Sequence, residues 1–131
     1  MTDGFFKIYM LTLLPFVVID GIWLGFVAPG FYRSQIGFLL AERPNWFAAV
    51  LFYLLFIAGM VYFVTGLDIS LSSALIRGAI FGFMCYATYD LTNLATVKGW
   101  PVLVTVVDLS WGSILGGGTA FLAVFMKGLF Q

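Results

Sequence analysis

Four stretches of apolar residues, each about 20 long, fill most of this 131-residue chain and leave it few possible folds. A helix needs about 20 residues to cross a ~30 Å hydrocarbon layer. The stretches run from Phe5 to Ala28, Trp46 to Thr65, Ser72 to Ala95 and Val102 to Met126. Pro29-Gly30 is expected to stop the first. Pro44 and Pro101 stand where the second and fourth begin, a position proline tolerates because its missing N–H would be unpaired there anyway. Thr65-Gly66-Leu67-Asp68 closes the second, and Gly99-Trp100 separates the last two. The runs are too long for strands and lack period-two alternation, which argues against a barrel. The expected fold is therefore all-α: one integral membrane four-helix bundle over residues 1–131, with a short interfacial segment between the first and second transmembrane helices.

Composition agrees. The chain is 63% hydrophobic and 9% charged, against about a quarter charged in soluble domains. Net charge is zero, so no nucleic-acid partner is expected. Membrane lipids are the expected surroundings. There is no histidine, which removes nucleophile–base triads and ordinary zinc sites. The single Cys85 reads as a packing residue. No cofactor and no resident metal are expected. Met1-Thr2-Asp3-Gly4 is not a basic leader, so the first run is expected to be a retained helix. Lys7, Arg77 and Lys127 flank one face and Arg33, Arg43 and Lys98 the other. That balance gives orientation little leverage; termini in the cytoplasm is the working expectation.

Inside the apolar runs lie three acids. Counting from the helix ends puts Asp20, Asp90 and Asp108 each about 12–13 Å below the same membrane face. They are expected to form one layer if the first, third and fourth helices face one another. An ionised Asp near a helix centre costs ~2.5–3.5 kcal/mol on insertion scales. Three would consume much of a small domain's stability of about 5–15 kcal/mol. The layer must then hold a proton, hold a cation or admit water, unless Arg33 reaches in from the interface.

The neighbours are polar as well. Tyr86 and Asn93 share a helix face with Asp90, and Tyr89 widens it. Trp23 follows Asp20 by three residues and Trp111 follows Asp108 by three, so each indole is expected to serve the acid on its own helix. The second helix offers Tyr53 and Tyr62, read as mostly structural. The loop between Gly30 and Arg43 suits a short helix in the interface, as anchor or lid, with Trp46, Trp100 and Tyr32 as an aromatic belt. Glycines four apart (Gly21 and Gly25, Gly78 and Gly82, Gly112 and Gly116) permit close helix contacts.

The segments from Ile19 to Gly25, Phe31-Tyr32-Arg33, Tyr86 to Thr96, Gly99-Trp100-Pro101 and Val107 to Gly112 resemble a bacterial membrane family known as domain of unknown function 2177. The resemblance implies a multi-pass protein of the bacterial inner membrane and brings no activity with it.

Three functions compete. A polar site of Asp20, Trp23, Tyr86, Tyr89, Asp90, Asn93, Asp108 and Trp111 suits proton-linked binding or transport of a small cation, amphiphile or lipid-like molecule. Four helices enclose little space, so that reading invites a homodimer. A membrane enzyme acting on lipid by Asp acid–base or Mg²⁺-assisted chemistry is the second; no catalytic residue is singled out, and whether the chain is an enzyme stays open. The third is a scaffold or partner-binding protein whose acids only fasten helices.

Overall fold

The computed structural model describes residues 4–130. Five α-helices follow one another: α1 Gly4–Ile22, α2 Ala28–Ile36, α3 Trp46–Met60, α4 Leu71–Thr96 and α5 Val102–Leu129. No strand occurs among the described residues. Wide π-helical turns prolong α1 over Trp23–Val27 and α3 over Val61–Thr65. Four continuous helical segments, Gly4–Leu39, Trp46–Thr65, Leu71–Thr96 and Val102–Leu129, are long and apolar enough to cross a membrane. Starts follow local chemistry. Asn45 Oδ1 accepts from the Ala48 N–H at 3.1 Å and Ser70 Oγ from the Ser73 N–H at 3.2 Å, each capping a helix. Pro101 caps α5 with extended backbone.

The first span departs from expectation. Pro29-Gly30 does not stop it; the chain stays helical to Leu39. The reason is the π turn, where the Ala28 N–H reaches back to the Trp23 carbonyl. Hydrogen bonding shifts register one residue before Pro29, so the proline enters near the first turn of α2, where its missing N–H costs little. The segment after Gly30 thus continues the first span.

The bundle is built on α4 and α5. Gly78 and Gly82 meet Gly112 and Gly116 so closely that a methyl on Gly82 would overlap the Gly112 carbonyl oxygen. A methyl on Gly112 would lie 2.7 Å from the Gly82 carbonyl oxygen. Small residues here let main chains touch. Gly21 and Gly25 do no such work: nothing lies within 4 Å of a methyl built on either. Helix α1 packs on α5, while α3 is held largely through its π-helical end, which touches α1, α4 and α5. The core there comprises Ile8, Phe16, Phe56, Ile57, Met60, Val64, Leu115 and neighbours.

That end is also tied by polar bonds. Thr12 Oγ1 and Thr65 Oγ1 lie 2.9 Å apart, both buried. Lys127 donates to the carbonyls of Thr65 at 2.9 Å and Leu67 at 2.8 Å, satisfying acceptors left over at the helix end. Lys7 donates to the Phe130 carbonyl at 3.2 Å, which brings the two ends of the described chain together. At the opposite end a pocket opens between α3 and α4.

Candidate functional site

The three acids are 5%, 0% and 4% exposed at Asp20, Asp90 and Asp108. They point into the bundle but not at one spot. Asp90 of α4 and Asp108 of α5 face each other closely enough to interact directly. Asp20 of α1 stands apart, with Tyr53 of α3 beside it. Tyr86 lies between the two groups, within electrostatic reach of Asp20, Asp90, Asp108 and Tyr53. The single layer of three carboxyls is thus a pair and a lone acid linked by a phenol. No group of three acids or cysteines converges as a metal-holding set among the described residues.

Partners differ sharply between the acids. The Tyr32 hydroxyl, on α2, donates to Asp108 Oδ1. The Trp111 indole N–H points to Asp20 Oδ1 at 3.4 Å, a long bond. Both Asp90 oxygens are buried without a hydrogen-bond partner. Phenols and an indole, not cations, serve Asp20 and Asp108. Arg33 is exposed and does not reach in.

The indoles correct a sequence expectation. Trp111 serves the acid of another helix, Asp20, rather than its own Asp108. Trp23 stacks on Trp111 with centroids 4.5 Å apart and planes 11° off parallel, and meets Tyr32 edge-on. The cause is helix packing: α1 lies against α5, so a side chain three residues beyond an acid points across the interface. Tyr89 is 56% exposed and sits edge-on to Trp100 at 5.7 Å, and Asn93 lies by its hydroxyl. Asn93 therefore attends Tyr89, at the margin of the acid pair.

Two participants fall outside the expected set, Tyr32 and Tyr53. Tyr53 was legible: it follows Trp46 by about seven residues, which gives it the depth of the acids by the same count. Tyr32 was not, because an aromatic near a span end ordinarily anchors at the interface. Trp100 leaves the belt too; it is 9% exposed and its indole donates to Thr105 Oγ1 at 3.2 Å. With Ile36, Val104, Phe31, Leu94 and Val97 it forms an apolar roof at this end of the bundle. Trp46 stays exposed at 68%.

A pocket lies to the side of the acids. A half-open pocket of about 310 Å³ between α3 and α4 is lined by Ala49, Phe52, Tyr53, Cys85, Tyr86 and Tyr89. Its volume is at the low end of the ~300–1,000 Å³ common for ligand pockets. No carboxyl lines it; Tyr53, Tyr86 and Tyr89 of its wall lie within electrostatic reach of the acids.

A family model described as predicted membrane protein (DUF2177) matches residues 5–125, nearly the whole chain. The chain belongs to this family. Nothing matches it among curated proteins or among solved structures.

Proposed function

We propose that this membrane protein binds an amphiphile entering from the bilayer between α3 and α4, and that binding or passage is linked to a proton held by Asp90 and Asp108. The observation that carries the reading is Asp90: two buried oxygens, no hydrogen-bond donor, and a second carboxyl facing it. A buried polar group left unpaired costs about 1–3 kcal/mol, so a residue kept only for packing would not be an acid. Asp20 and Asp108, by contrast, do fasten helices through Trp111 and Tyr32. Two facing carboxyls need a proton or a cation between them. The side pocket supports the amphiphile: its wall combines Ala49 and Phe52 with three phenols that lead inward to the acids. In the bacterial inner membrane, where we expect the protein, a proton gradient is available to such a pair.

The test uses proteoliposomes with an entrapped pH-sensitive dye and dodecyltrimethylammonium, a permanent cation that cannot carry a proton itself. Addition should move protons in the wild type, and Asp90→Asn and Asp108→Asn should abolish the movement while keeping helical circular dichroism. Proton movement undiminished in Asp90→Asn, or none in the wild type, would overturn the proposal. Amphiphile binding is read separately from the fluorescence of the Trp23–Trp111 stack.

A further inference from the structure

A second groove lies at the other end of the bundle, where the chain ends meet. It is shallow, about 530 Å³, and runs between the π-helical end of α3 and the first half of α4. Phe63, Ile80, Phe81 and Met84 line it together with one cation, Arg77. Three basic residues gather at this end. Lys127 is bound to the Thr65 and Leu67 carbonyls and Lys7 to that of Phe130. Arg77 alone of the three has no partner among the described residues.

Position matters as much as charge. Helix α4 has 26 residues, about 39 Å at 1.5 Å each, against a ~30 Å hydrocarbon layer. With the excess shared between its ends, Arg77 sits about 5 Å inside the hydrocarbon boundary, within reach of the headgroup layer for a long side chain. Ser73 shares its face one turn nearer the surface. Ile80, Phe81 and Met84 follow at three, four and seven residues, so an apolar track continues below the guanidinium toward mid-membrane.

We infer that this groove is a binding site for one anionic phospholipid, its phosphate on Arg77 and one acyl chain along Phe63, Phe81 and Met84. A guanidinium matches phosphate oxygens with two parallel hydrogen bonds. No carboxylate lines the groove to compete for it. The site is separate from the Asp90–Asp108 pocket and does not depend on the function proposed for that pocket.

The experiment is native mass spectrometry of the whole protein released from nanodiscs of mixed phosphatidylglycerol and phosphatidylcholine. The wild type should retain one phosphatidylglycerol with about tenfold preference, the scale of a single charge-assisted contact. Arg77→Gln should remove the preference, Arg77→Lys should keep part of it, and Met84→Trp should weaken retention while leaving the preference for the anion. Arg77 is exposed, so the substitutions leave the core intact. Equal retention of both lipids by the wild type, an unchanged preference in Arg77→Gln, or an equal loss in Arg43→Gln would overturn the inference. So would displacement of the lipid by inorganic phosphate, because a headgroup without a chain should not compete.

Discussion

The Tyr32 hydroxyl donates to Asp108 Oδ1 across 76 positions of sequence, tying the helical extension of the first span to the start of the last. This bond holds the roof of Trp100, Ile36 and Val104 over the end of the bundle that contains the acids. Asp108 thereby becomes a structural acceptor on one side while it faces Asp90 on the other.

Tyr32→Phe should therefore destabilise the protein by about 1–3 kcal/mol, since it leaves a buried carboxyl oxygen without its donor. Unfolding in mixed micelles by denaturing detergent measures it. Arg33→Gln next door, exposed and unbonded to the acids, should change stability by no more than about 0.5 kcal/mol. Equal effects from the two would show that the phenol only fills space.

Asp90→Asn carries the opposite sign. The amide brings two permanent donors to a place where the acid pair has at most the one proton it shares, and it faces an acceptor in Asp108. Stability should hold or rise, by up to about 1 kcal/mol. Residues kept for function at a cost to stability behave in this way. A loss above about 2 kcal/mol would mark Asp90 as a helix fastener.

The glycines separate cleanly. Gly82→Ala and Gly112→Ala put a methyl into main chain that cannot move aside, so a loss of about 1–3 kcal/mol or more is expected. Gly21→Ala and Gly25→Ala meet open space and should gain up to about 1 kcal/mol from helix propensity. Thermal unfolding of the four purified variants is sufficient.

Lys127→Gln should loosen the far end of α3 by about 1.5–3 kcal/mol, the worth of bonds made by a charged group. Hydrogen exchange should quicken first across Val61–Thr65, whose last carbonyl it releases. Uniform loosening of all four spans would deny the clasp a local role.

Much of this architecture was legible before any coordinates. Span three and span four begin and end within a few residues of their apolar runs, and span two matches from Trp46 to Thr65. Span one ran past its proline because a π turn depends on how Trp23–Val27 packs, which residue order does not disclose. Depth was countable for Asp20, Asp90, Asp108 and equally for Tyr53. Rotation was not: three-residue spacing let each tryptophan be paired with its own acid, whereas neighbouring helices decide where an indole points. Likewise Gly21 and Gly25 have the spacing of Gly78 and Gly82, yet only the second pair has a helix against it.

Because α4 and α5 touch backbone to backbone, no rotamer change can alter their spacing. Asp90 lies about two turns beyond Gly82, and Asp108 about one turn before Gly112. The spacing of the two main chains that carry the acids is consequently gauged by peptide planes, like the jaws of a fixed calliper. On the function proposed above, movement belongs to α1, α3 and the roof, while the α4–α5 spacing is kept.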